Sequence, residues 1–142
     1  MKLIETILKG KFDVSFDQNL GYDQEKKYLT KKFINFCIDE LDIEGEFKVK
    51  VVSDRDKYGI KTTAFYRDNS KESVVYAKNR MLGDVLRSIA HELTHKKQYE
   101  DGRIKHPVQD VGGEIEDEAN AKAGAIIKKF IKFDKDGSKV FY

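Results

Sequence analysis

Cysteine and proline each occur once in the 142 residues, and histidine only three times. The single thiol, Cys37, cannot close an internal disulfide and cannot build a cysteine-based zinc cluster. No apolar run is long enough to span a bilayer. The early hydrophobics Leu3, Ile4, Ile7 and Leu8 are broken by Glu5 and Lys9, which does not suit a secretory leader. Charge of one sign is also scarce. The 27 Lys and Arg are interspersed with 25 Asp and Glu, leaving a net charge of +2. No basic patch therefore argues for nucleic acid, and no membrane partner is expected. There is no internal repeat, low-complexity tract or linker, so residues 1–142 read as one domain in a reducing, cytoplasmic setting. With 39% hydrophobic and 37% charged residues, the composition fits a core that needs no disulfides beneath a well-solvated surface.

Periodicity sets out the elements. Residues 1 to 22 mix a helical spacing at Leu3 to Leu8 with a strand-like alternation of Phe12, Val14 and Phe16. From Asp23 to about Leu41, the stripe Leu29, Phe33, Phe36, Cys37 and Leu41 predicts a helix, stopped with help from Gly45. Cys37 lies inside that stripe and is expected to be buried. Three strand-like runs follow: Phe47 to Val51, Ile60 to Tyr66 and Val74 to Tyr76. Polar connections between them suggest an antiparallel meander with one polar face. A helix from Leu82–Asp84 to about Glu100, stopped at Gly102, carries the core stripe Leu82, Leu86, Ile89 and Leu93. Asp84, Ser88, His91, His95 and Gln98 fall on its other side, facing a cleft. A loop follows with His106, Pro107 and Gly112-Gly113, and then a helix from about Glu114 to Phe133 with the stripe Ala119, Ala123, Ile126, Ile127 and Phe130. The end, Lys139 to Tyr142, suggests a short strand or a docked tail.

The first of these two helices contains His91-Glu92-Leu93-Thr94-His95. H-E-x-x-H arises in roughly one shuffled chain in two hundred. On a helix the two imidazoles lie one turn apart on one face, able to fill two corners of a zinc tetrahedron with Glu92 beside the metal as a base. A catalytic zinc needs a third protein ligand. Glu116 falls in the middle of the second helix's apolar stripe, where an unpaired carboxylate would cost several kcal/mol. Asn120 lies one turn on, where it can steady a ligand. Glu118 points the opposite way, towards Lys122 and Lys129, and reads as a surface acid. His106 is the alternative third ligand. A long motif with a third histidine is ruled out, because the glycine it needs three residues after His95 is Gln98.

Ser88 to His95, followed by Glu116-Asp117-Glu118-Ala119-Asn120, resembles the gluzincin class of zinc metallopeptidases. In that class the third ligand is a Glu on a second helix, often with Asp or Asn four residues later. The likeness covers about residues 84 to 127 and is similar also to very small members of the class, including zincin-like domains encoded by tailed phages. It implies an α+β fold with a minimal zincin-like core: an N-terminal helix, a small three-stranded or slightly larger, mostly antiparallel sheet, an H-E-x-x-H helix and a Glu-bearing helix. It implies one Zn²⁺ on His91, His95 and Glu116, with Glu92 as general base, and hydrolysis of a peptide or protein substrate, in the host cytoplasm if phage-encoded. The third strand, Ser73 to Ala77, is expected to form the cleft wall and pair with an extended substrate. No motif aligns with the class's oxyanion-steadying Tyr or His, and His106 and Tyr99 are the candidates. In the SprT-like group the third ligand is a His, which again points to His106. The competing reading is a zincin-like domain that binds a peptide or assembly partner without cutting it.

Overall fold

The computed structural model describes residues 11–104 and 113–140. Its elements are β1 (Phe12–Phe16), α1 (Gln24–Leu41), β2 (Phe47–Val52), the short α2 (Arg55–Tyr58), β3 (Ala64–Arg67), β4 (Glu72–Tyr76), α3 (Leu82–Glu100) and α4 (Gly113–Phe133). Single 3-10 turns occupy Gln18–Leu20 and Gly137–Val140. The architecture is mixed α+β, as the periodicity predicts. The helical spacing at Leu3 to Leu8, His106, and the last two residues lie outside the described residues.

Local chemistry sets the ends of α1. The Asp23 side chain accepts the Lys26 N–H at 2.9 Å, satisfying one of the free donors of the first turn. At the other end Asp42 turns left-handed, with φ 55, and its N–H returns to the Ile38 carbonyl. Asp42, rather than Gly45, therefore stops the helix. Gly45 has a different use. Glu100 accepts the N–H groups of Glu44 at 3.1 Å and Gly45 at 3.0 Å. A Cβ at position 45 would come 3.1 Å from Glu100 Oε2 and 3.2 Å from Lys96 Nζ.

The sheet departs from the expected antiparallel meander. It has four strands in the order β1-β2-β4-β3. β1 pairs parallel to β2, β2 pairs parallel to β4, and only β3 with β4 is antiparallel. β1 and β2 are joined through α1, which leaves room for a parallel return. β4 displaces β3 from β2 because β4 is apolar on both faces. Val75 faces the helices beside Val49 and Val51, whereas Val74 faces outward with Val52 and Ile60. A strand buried on both sides belongs inside a sheet. β3 is only partly buried along its length and takes the edge. Its start is also later than expected. Ile60 precedes the strand, where its N–H donates to the Arg55 carbonyl. The assignment of Ser73 to Ala77 as an open cleft wall is therefore corrected: both edges of β4 are paired, and the outer strands of the sheet are β1 and β3, with β3 the one beside β4.

The main core lies between the sheet and α1, α3 and α4. Of the α3 stripe, Leu86, Ile89 and Leu93 are buried at 0% exposure, as is Val85 beside it, whereas Leu82 at the helix start is half-buried. The other side of α3 is not an open cleft throughout. Glu92, His95 and Gln98 are also buried where α4 crosses that face, and Lys96 is buried beside Phe47 of β2 and Glu100. The α4 stripe Ala119, Ala123, Ile126, Ile127 and Phe130 is buried as predicted. Phe130 wedges between Phe33 (ring centroids 5.1 Å) and Phe36 (5.4 Å), both edge-on. Burying one such ring contributes about 1.5–3 kcal/mol. Cys37 is fully buried, and burial holds its thiol pKa well above the ordinary value.

Candidate metal centre

α3 runs without Pro or interior break through Leu82–Glu100, so His91 and His95 stand one turn apart. Their rings meet edge to face with centroids 4.8 Å apart, and the two Nε2 atoms are 3.2 Å apart. The first turns of α4 bring Glu116 over this pair. Its Oε1 lies 2.8 Å from His95 Nε2 and its Oε2 lies 3.0 Å from His91 Nε2. Glu92 is nearby but stands off, with Oε2 4.0 Å from His91 Nε2, and it is 6% exposed.

The orientation of His95 is set by Gln98. Gln98 is 1% exposed. Its Nε2 donates to the Ile115 carbonyl at 3.1 Å and to Glu118 Oε1 at 3.0 Å. Both of those partners can only accept, so the amide nitrogen must face them and Oε1 must face His95 Nδ1, at 2.8 Å. A carbonyl oxygen can only accept, so Nδ1 carries the proton. In neutral His95 a bare lone pair on Nε2 then points at Glu116. Gln98 also ties this histidine to the backbone carbonyl adjoining Glu116, so the two sides of the centre are held to one another. Asn120 hydrogen-bonds the His91 side chain, in the steadying role its spacing suggests.

Electrostatics favours a cation here. Lone pairs facing one another at about 3 Å repel unless positive charge lies between them. The doubly protonated, charged form of His91 is disfavoured. Burial, and after it the neighbouring His95, push the His91 pKa below the ordinary value, against the opposing pull of Glu116. Burial, followed by the negative charge of Glu116, pushes Glu92 up to about 8. A metal ion can also supply that positive charge. His91, Glu92 and His95 form a group that can hold one, with ligand atoms within 4.8 Å of one another. Imidazole nitrogens with carboxylate oxygens are a donor set fitted to a divalent transition metal.

The structure thus brings together His91, Glu92, His95 and Glu116, as the spacing predicts. Glu118 is a correction. It is not a free surface acid but accepts from Gln98 and from Arg103 Nη1 at 2.5 Å. Those two hydrogen bonds hold its carboxyl below the usual pKa. Gln98 itself went unassigned in the sequence except as a mismatch to a longer motif. Its position three residues after His95, on the histidine side, was the available signal. Tyr99 packs on Tyr66 of β3, with ring centroids 5.7 Å apart, and no hydrogen bond among the described residues brings it to the histidines. His106, the alternative ligand, lies outside the described residues. Comparison of the chain with protein-family models, with curated proteins and with solved structures gave no match.

Proposed function

We propose that the chain is a zinc-dependent metallopeptidase of the gluzincin type. His91, His95 and Glu116 hold Zn²⁺, and Glu92 is the general base. The observation that carries this reading is the Glu116 carboxylate lying 2.8 and 3.0 Å from the two Nε2 atoms. Glu92 remains beside them, more distant and without a hydrogen-bonding partner of its own among the described residues. Two histidines and one carboxylate are the ligand set of a catalytic zinc with an open position. Bound there, the ion polarises a scissile carbonyl and lowers the pKa of water from its bulk value towards ~7. With a cation held there, Glu92 would be kept ionised against the burial that raises its carboxyl. Glu92 then takes a proton from the attacking water and passes it to the leaving amine. Gln98 and Asn120 keep the histidine rings aimed. The free edge of β3, which Tyr66 and Tyr99 bring against α3, is the place for an extended substrate to pair.

The purified chain is expected to carry about one zinc per molecule. Glu92→Gln should retain the metal and lose hydrolysis of a denatured protein by at least ~100-fold. Equal activity in that variant removes Glu92 as the base. Glu116→Ala should empty the site. If His106→Ala empties it and Glu116→Ala does not, the third ligand is misassigned. Full zinc content with no turnover by the unaltered chain would leave a metal-holding, peptide-binding domain instead.

A further inference from the structure

Ser88 lies on the histidine-bearing stripe of α3, one turn before His91, or about 4.5 Å along the axis. Arg80 Nη2 donates to its hydroxyl at 2.9 Å. The same guanidinium donates to the carbonyls of Tyr76 at 2.7 Å and Asp84 at 3.1 Å. All three acceptors are neutral. Among the described residues no carboxylate reaches ion-pair distance of Arg80, and the Asp84 side chain acts on it only from farther off. Arg80 is partly buried, which disfavours its charge. A second cation, Arg55, stacks over the ring of the same Tyr76 at 4.6 Å and repels Arg80. Two guanidinium groups therefore meet at one tyrosine, with no carboxylate at ion-pair distance of Arg80 among the described residues. Packing alone does not call for this, since a neutral side chain could bridge β4 to α3. A guanidinium has five N–H donors, and the fork of Arg80 is not exhausted by three hydrogen bonds.

The place is as informative as the charge. Tyr76 is the last residue of β4, and its N–H donates to the Thr63 carbonyl at 2.8 Å, just before β3 begins. An extended peptide lying along the free edge of β3 and passing His91 would reach Arg80 at that end of the strand.

We propose that Arg80, reinforced by Arg55, is a carboxylate-binding subsite beside the metal centre, selecting peptides that present a carboxylate at the Tyr76 end of the cleft. This rests on the peptidase reading above and adds a substrate class to it. The carboxylate comes either from an acidic side chain or from the C-terminus of the peptide, and the fork grips both in the same way.

The test measures binding, so that turnover is not needed. Zinc-loaded Glu92→Gln chain is titrated, by fluorescence anisotropy, into a labelled short neutral peptide with both ends blocked. The comparison peptides are the same sequence with one Glu at each position in turn, and the same sequence with a free C-terminal carboxylate. At least one carboxylate-bearing peptide should bind about tenfold tighter than the neutral one. A preference for one Glu position identifies a side-chain carboxylate; a preference for the free end identifies the C-terminus. Added salt should shrink the advantage. In the Arg80→Gln background the ratio should fall to about one, whereas Arg80→Lys should keep part of it, having charge without the fork. Equal binding of all peptides, no binding of any, or an advantage that survives Arg80→Gln overturns the subsite. If Arg80→Gln does not fold, exposed Arg55→Gln must reduce the ratio, and the ratio of the Arg80-containing chain must fall with salt. Hydrolysis fails separately: carboxylate-selective binding without cleavage by the unaltered chain removes the peptidase reading and leaves the subsite.

Discussion

One amide, that of Gln98, does three things at once: it sets the tautomer of His95, anchors the carbonyl of Ile115 and engages Glu118. Gln98→Leu keeps the volume and removes all three contacts. It leaves an Nδ1–H and a carbonyl without partners in a buried place, and it frees the ring to rotate. Partners of this kind typically account for 10–100-fold in metal affinity. Zinc affinity of Gln98→Leu, read by competition with a chelator, should fall by about that factor while the helical circular dichroism is retained. Gln98→Glu should recover part of the loss, since a carboxylate also accepts from Nδ1. Undiminished affinity in Gln98→Leu would show that the helix alone aims the ring. Arg80 belongs to the same scale, because its meaning comes from the neutral partners around it and from the absence of an ion pair.

Among the elements, α3 carries both the chemistry and a buried ion pair. Lys96, next to His95, is 1% exposed, and its ammonium lies 2.9 Å from Glu100. Glu100 in turn binds two backbone N–H groups in the turn after α1. Burial pushes the Glu100 carboxyl up, but Lys96 and the two backbone donors together outweigh it and hold its pKa below the ordinary value. Removing Glu100 leaves a buried cation and two free donors. Glu100→Ala should therefore cost about 3 kcal/mol, seen in urea denaturation. Lys96→Met removes the buried charge together with its need for a partner and should cost less. If Lys96→Met proves the more damaging, the ammonium is itself a net source of stability. The same α3 element shows how the sequence reading reached its limit. The stripe Leu86, Ile89 and Leu93 was legible because apolar residues repeat at helical spacing. Burial of Lys96 and Gln98 was not, because nothing local marks a polar side chain that a remote strand or helix will cover.

At the scale of the whole molecule, the chain after α4 is fastened back to α1. Lys32 lies 3.1 Å from Asp134 and 2.8 Å from Asp136, and the Tyr28 hydroxyl donates to Asp136 at 3.3 Å. Gly137 is required there, since a Cβ would run into the Phe130 carbonyl. The hydrogen bond from Lys32 lowers the Asp136 carboxyl to about 2, below the unfolded value of about 3.9. A depressed carboxyl contributes its stability above the unfolded pKa and loses it as pH falls through the folded one. Tm of the unaltered chain should exceed that of Asp136→Asn at pH 5 to 7, and the gap should close as pH falls from about 4 towards 2. A gap that persists to pH 2 would mean the contact acts through shape rather than charge.

Much of the local structure is written in the amino-acid order. Asp23 caps α1, the stripes of α3 and α4 bury as their periodicity requires, and helical spacing sets His91 and His95 on one face of α3 and Glu116 on the inner face of α4. These depend on interactions within a few turns of one chain segment. Strand order, the free edge on β3, the burial of Lys96 and the hold of Gln98 on the centre were decided by the tertiary structure. Each depends on which surface a remote element covers. A strand such as β4, apolar on both faces, moves to the interior of the sheet only when there are helices on one side and an α2 connection on the other to bury it. That competition for burial involves the whole chain and leaves no mark at any single residue.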